Sequence, residues 1–236
     1  MKLLAIETSS EGCSAALFLD GEIVEDYRLA PRQHGKLILQ MIESILKEAN
    51  LKLTELDCLA FGRGPGSFTG LRIAAGVIQG LAFGAELPVV PISTLAAISL
   101  QARDEFGGEQ FFSAFDARLD EVYWGVYQTD ETGLVKPIVD EQVCSADQVN
   151  VPLETKGVAV GSGWESHREL LEARVGKEAI IKMIPDCIPR AASIARLAAI
   201  AFENGQAIPA EQAQPIYLRD KVAKTKVEQL AEKRER

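Results

Sequence analysis

The run Leu56-Asp57-Cys58-Leu59-Ala60-Phe61-Gly62-Arg63-Gly64-Pro65-Gly66-Ser67-Phe68-Thr69-Gly70, continued by a helical stretch to about Ala85, decides how this chain is read. Leu56 to Phe61 is a short apolar block, the pattern of a strand buried on both faces. Four glycines and a proline come next, which allow positive φ and close backbone approach. Ser67 or Thr69 can cap the helix after them. A strand, a glycine-rich turn and a helix together form one α/β unit. Downstream, Pro88 to Ile92 reads as a strand, and Ser93 as the N-cap of a helix to about Glu105. Upstream, Lys2–Ile6, Cys13–Leu19 and Glu22–Leu29 read as strands. Asp20-Gly21 joins the last two as a hairpin. Leu37, Ile38, Met41, Ile42, Ile45, Leu46 and Ala49 recur at helical spacing. After Gly107-Gly108 a similar order begins again. Gln110–Asp116 and Glu121–Tyr127 read as strands, and Gly133 and Pro137 break the segment after them. Gly157–Val160 is a further strand, with helices expected at 165–175 and 193–203. The expectation is a mixed sheet flanked by helices, with a hint of internal duplication.

The helix after Gly70 has two apolar faces. Leu71, Ala74, Ala75, Ile78, Leu81, Ala82 and Ala85 lie on one, suited to packing on a sheet. Ile73, Gly76, Val77, Gly80 and Gly84 lie on the other, which is flat. Each interior glycine costs about 1 kcal/mol against alanine in a helix. Three at four-residue spacing predict a closely approaching helix. That neighbour is either the helix near 37–49 or a helix of a second polypeptide. The glycine-rich turn itself allows two readings: tight packing against a neighbour, or a phosphate site at a helix start. It is neither a Walker A loop nor a G-x-G-x-x-G fingerprint.

Composition narrows the function classes. The chain has 236 residues, 47% hydrophobic and 25% charged, as in ordinary globular proteins. Lys and Arg number 25 against 34 Asp and Glu, a net charge of −9. Residues 219–236 carry seven Lys/Arg against four Asp/Glu, which leaves 18 against 30 in residues 1–218. An acidic body is a poor surface for a phosphate backbone. Cys13, Cys58, Cys144 and Cys187 form no C-x-x-C pair. The opening apolar run is short and is cut by Glu7. No run of about 18 apolar residues is evident, so neither a signal segment nor a membrane span is expected, and the reading is cytoplasmic.

Catalytic groups are sparse. His34 and His167 have no second His or Cys at ligand spacing, so no metal site is expected. Ser9 and Ser10 come after the first strand, but turn serines commonly bond the local backbone. Asp116, Asp120 and Glu121 cluster near a turn and assemble no evident acid–base pair. No catalytic residue is assigned.

Three segments carry a family resemblance. Ile6-Glu7-Thr8-Ser9-Ser10 resembles the opening of the TsaB/TsaD family. Gly64-Pro65-Gly66-Ser67-Phe68-Thr69-Gly70-Leu71-Arg72 resembles the signature of its TsaB (YeaZ) branch. Pro215-Ile216-Tyr217-Leu218-Arg219 is similar to that branch's C-terminal motif. The resemblance implies a two-lobed actin/Hsp70-like (ASKHA, ribonuclease H-like) α/β fold. Its lobes would span 1–106 and 107–218, with a charged tail at 219–236. It implies a required non-catalytic role in adding threonylcarbamoyl to adenosine 37 of tRNAs reading ANN codons. The partners implied are the catalytic paralog TsaD, the ATPase TsaE and, in isolation, a second copy of the chain. Contact with tRNA would come only through the complex.

The resemblance also implies site residues. The partner interface would use Leu37, Met41, Ile73, Gly76, Val77, Gly80 and Gly84. Gly64, Pro65, Gly66, Ser67 and Gly70 would be a structural motif. The fold's nucleotide cleft would involve Glu7, Thr8, Ser9, Gly12, Gly161 and Gly163, and it has two readings: a degenerate cleft with no firmly bound cofactor, or a site for ATP or ADP with Mg²⁺ in the assembled complex. The paralog's His-x-x-x-His pair falls on Thr94 and Ile98, and its aspartate on Pro189 or Arg190. None of these is a metal ligand. A small-molecule kinase on the same fold and a metallopeptidase are the alternatives.

Overall fold

Two five-stranded sheets share one topology. The computed structural model describes residues 1–219. The first sheet contains β1 (Lys2–Glu7), β2 (Gly12–Leu19), β3 (Glu22–Leu29), β4 (Cys58–Gly64) and β5 (Val89–Ser93), in the order β3-β2-β1-β4-β5. The second contains β6 (Gln110–Arg118), β7 (Glu121–Thr129), β8 (Val135–Ser145), β9 (Gly157–Val160) and β10 (Ile180–Ile184), in the order β10-β9-β6-β7-β8. In each, an antiparallel meander of three strands is extended on the other side by two parallel ones. The hint of duplication is thus a repeated strand order, and the chain has the two-lobed actin-like fold. The helices are α1 (His34–Glu48), α2 (Phe68–Ala85), α3 (Thr94–Phe106), α4 (Gly163–Ser166), α5 (Arg168–Val175) and α6 (Ala191–Glu203). The single helix expected at 165–175 is two helices, broken at His167.

Strand periodicity sorts side chains between layers. In β1, Leu4 and Ile6 enter a cluster with α1 and α2, while Leu3 and Ala5 enter one with α6. Phe111 and Phe115 of β6 face α3, while Phe112 and Ala114 face Trp124 and Trp164. Both tryptophans are fully buried, and their indole N–H groups donate to the carbonyls of Asn150 and Phe112 at 2.9 and 2.7 Å. Cys13 and Cys58 are buried thiols that behave as small hydrophobes. Desolvation raises them to about 11 and about 12.

The division into 1–106 and 107–218 does not match the packing. α3 comes from the first half, yet its Leu95, Ile98 and Leu100 pack on the second sheet. α6 comes from the second half, yet Ile194, Ala195 and Ala198 pack on the first, and Ala210 and Ala213 join the same lobe. Each lobe borrows a helix because α3 and α6 lie side by side between the sheets. Residues 220–236, the bulk of the expected charged tail, lie outside the described residues.

β8 and β10 were not expected. Pro137 sits inside β8, which is the outer strand of its sheet, where a missing N–H breaks no central ladder. α2 is also long and apolar enough, by length and composition, to cross a membrane, with a mean hydropathy of 1.3. It instead buries Leu71, Ala74, Ala75, Ile78 and Ala82 against the first sheet's core.

Candidate functional site

The loop after β1 and the glycine-rich turn before α2 are pressed together backbone to backbone. Ser67 N–H donates to the Ser9 carbonyl at 2.7 Å, and Thr8 Oγ1–H donates to the Gly70 carbonyl at 2.8 Å. Ser67 caps α2, its hydroxyl accepting from Gly70 N–H at 3.4 Å. A Cβ on Gly66 would stand 2.7 Å from the Ser9 carbonyl oxygen. At Gly70 it would stand 2.0 Å from that of Thr8. Of the two readings of this motif, tight packing is the one the geometry supports. The Ser67 amide that an anion would need is already bonded.

Glu7 ends β1 beneath this seam and is fully buried. Its Oε1 accepts from Ser9 N–H at 2.5 Å, while Oε2 has no partner and points at the Gly62 backbone. Desolvation pushes its carboxyl up to about 7, against the smaller opposing pull of the Ser9 hydrogen bonds.

Between the lobes lies a cleft of about 1380 Å³. Ser9, Ser10 and Arg32 line one wall, Asp116, Ser162 and Glu165 the other, and Tyr217 and Arg219 its mouth. Ser9 alone of the six expected nucleotide residues lines it. Glu7 and Thr8 are sealed under the seam. Gly12 is packed on Ile188 and Tyr27, and Gly161 and Gly163 on Ala114. These glycines serve close packing within and between the lobes. A carboxylate turned away from the cleft does not fit the role of a Mg²⁺ ligand there.

The structure makes one pairing that the sequence reading missed. Asp116 Oδ1 lies 3.6 Å from His167 Nε2, although 51 positions separate them, and Oδ2 pairs with Arg118 at 3.1 Å. Only the strand order of the second sheet brings them together. His34 Nε2 meets the Gly12 carbonyl at 3.1 Å and ties α1 to the loop after β1.

The outer face of α2 is open. Gly76, Gly80 and Gly84 are exposed, and a Cβ at any of them meets nothing within 4 Å. α1 therefore does not cover this stripe; the one glycine contact between the helices is Gly35 against Ile73. Half-buried Ile73 and Val77 flank it, as does Phe83, which is 81% exposed. Leu39 of α1 is also exposed beside half-buried Leu37. Met41 does not belong to this face, contrary to the sequence expectation: it is fully buried, with its sulfur 3.7 Å from Cys13 Sγ, because it occupies the sheet-facing side of α1.

A family model described as TsaD, tRNA N6-adenosine threonylcarbamoyltransferase, matches residues 27–227. A tRNA threonylcarbamoyladenosine biosynthesis protein TsaB of Escherichia coli (strain K12) is 39% identical over 228 residues, covering 94% of this chain and 96% of that relative. The chain belongs to the TsaB family. The like-named protein of Haemophilus influenzae is 40% identical over 230 residues, covering 94% of this chain and 95% of its own length. The structure of YeaZ from Pseudomonas aeruginosa matches with a TM-score of 0.84 and 39% identity, over 92% of this chain and 99% of that one.

In this TsaB-family chain the two positions expected to match the paralog's histidines are packed shut. Thr94 and Ile98 are fully buried, and Thr94 Oγ1 has no hydrogen-bond partner. Arg190 pairs with Glu25 at 2.5 Å and lies over the Tyr27 ring. Among the described residues, no three His, Cys, Asp or Glu side chains gather as a ligand set. The open glycine stripe makes a direct prediction. Gly76→Ala adds a methyl group into free space on a helix, so it should raise stability by about 1 kcal/mol. Urea denaturation of both proteins would check it; a loss of stability would mean that something already covers the stripe.

Proposed function

We propose that this chain is the non-catalytic, TsaB-type subunit of the tRNA threonylcarbamoyladenosine machinery, and that it works by docking the catalytic TsaD-type paralog on α1 and α2. The observation that carries the reading is the uncovered Gly76, Gly80 and Gly84 stripe on an apolar helix. A glycine stripe weakens a helix and gains nothing from solvent. It allows a partner helix to approach closely, with Ile73, Val77 and Phe83 supplying apolar contact around it. A second copy of the chain would use the same face, so homodimer and heterodimer would compete. Docking stabilises and activates the paralog, which holds the transfer chemistry, and a TsaE-type ATPase joins the pair in the cytoplasm. The acidic body supports an arrangement in which the paralog supplies most of the tRNA grip. A nucleotide would be held in the assembled complex, with the Mg²⁺ ligands coming from elsewhere than Glu7.

Gly80→Arg places a long charged side chain in the middle of the stripe. The expected result is at least about tenfold weaker pairing with the paralog, equivalent to about 1.4 kcal/mol. The fold should be retained, because the new side chain has open space around it. Isothermal titration against the purified paralog, with circular dichroism as the folding control, measures both. Unchanged affinity in a folded variant would refute the docking face. A tRNA modification assay with and without the chain tests the role itself.

A further inference from the structure

The C-terminal motif Pro215–Arg219 belongs to neither sheet and is not part of the open α2 stripe. It crosses the mouth of the cleft, tied to both lobes. On the first lobe, Ile216 N–H donates to the Arg63 carbonyl at 2.9 Å, at the end of β4. The Tyr217 hydroxyl accepts from Arg72 Nε at 3.1 Å, and its ring lies 5.7 Å from that of Phe68 in the first turn of α2. Arg72 in turn stacks 3.7 Å over Phe68. On the second lobe, Arg219 forms an ion pair with Glu121 and donates to the Arg118 carbonyl at 3.3 Å. The Arg219 side chain is only 17% exposed.

The turn that receives Arg219 is a costly one. Arg118, Leu119 and Asp120 are consecutive non-glycine residues with φ of 64, 56 and 60°. Each costs about 1 kcal/mol or more in that region, and such backbone persists only where its surroundings hold it. Arg219 holds this one by its first carbonyl. A second, partly buried tie also joins the lobes. Glu141 of β8 accepts from the Tyr127 hydroxyl at 2.5 Å and from Ser93, and lies 3.5 Å from the Arg63 guanidinium. Arg63 thus serves both ties, its side chain in the second one and its carbonyl in the strap.

We infer that Pro215–Arg219 is a latch that sets the opening of the interlobe cleft, with the Glu141 cluster and the α3–α6 contact as the pivot. In the strap Ile216 and Tyr217 are exposed, whereas Ser93 and Tyr127 of the pivot are buried. Releasing Arg219 frees the 118–120 turn and lets the lobes part. It also frees Tyr217 from its contacts with Phe68 and Arg72 at the start of α2.

The test uses the full chain. Arg219→Ala should speed amide exchange in residues 117–121 at least tenfold and increase the radius of gyration in small-angle scattering. Arg219→Lys should do less of both. β1 and β6 amides serve as the reference for global folding. If they also lose protection, Glu121→Gln, which cuts the same pair from the other side, replaces the first variant. Faster exchange at 117–121 together with a larger radius supports the latch. Unchanged exchange there, or an unchanged radius, overturns it.

Discussion

Gly70→Ala should cost about 3 kcal/mol of folding stability, the upper range for forcing a methyl group into a packed site. The added Cβ would stand 2.0 Å from the Thr8 carbonyl oxygen, 3.0 Å from its carbon and 3.2 Å from Ser9 Cα. All three are backbone atoms, so no rotamer change relieves the contact. The start of α2 must retreat from the loop after β1. That retreat stretches the Thr8-to-Gly70 hydrogen bond and the one from Ser67 N–H to Ser9, both of which seal Glu7 from water. The same substitution at Gly76, two turns along the same helix, has the opposite expected sign. Urea unfolding of the two variants side by side therefore separates steric packing from helix propensity. A Gly70→Ala protein within about 1 kcal/mol of the parent would show that the seam is looser than described.

Glu7 should make the protein less stable as the pH rises from about 4.5 to about 7. Its carboxyl is raised from an ordinary 4.5 to about 7 because burial disfavours the anion. The folded state therefore holds this proton more tightly than the unfolded state. The contribution is fully present below the unfolded value of 4.5. It declines as pH rises towards the folded value of about 7 and is then constant. The whole change is about 3 kcal/mol at roughly 1.4 kcal/mol per pH unit. Glu7→Gln keeps the shape and the acceptor for Ser9 N–H but cannot ionise. Its amide nitrogen replaces the unpartnered Oε2, a fixed cost at every pH. The parent-minus-variant stability should thus fall by about 3 kcal/mol between pH 4.5 and 7 and be flat on either side. Denaturation curves from pH 4 to 8 measure this, and parallel curves for the two proteins would disprove the buried proton.

Much of the first lobe was readable from residue order because its signals are local. Asp20-Gly21 makes the β2–β3 hairpin, with φ of 51 and 103°. Ser93 caps α3, accepting from Leu95 and Ala96 N–H. The two faces of α2 separate as the helical period requires, one buried and one open. β8 was hidden because Pro137 and Gly133 normally signal a break, and only its place at the sheet edge makes the proline tolerable. Met41 cannot be told from the exposed positions by sequence, because α1 is apolar over a wide arc and only packing sets which part of that arc meets the sheet.

By itself the sequence determined the alternation of strands and helices, the caps and turns, the glycine stripe and the family motifs. These depend on residues within a few positions of one another, where period, φ preference and hydrogen-bond reach act directly. The tertiary structure alone decided which of those features face water. It buried Glu7 beneath Gly62, joined Asp116 to His167, exchanged α3 and α6 between the lobes and left Gly76, Gly80 and Gly84 uncovered. Each is a contact, or the lack of one, between segments far apart in the chain. Such contacts are set by how two sheets and their shared helices fill space together.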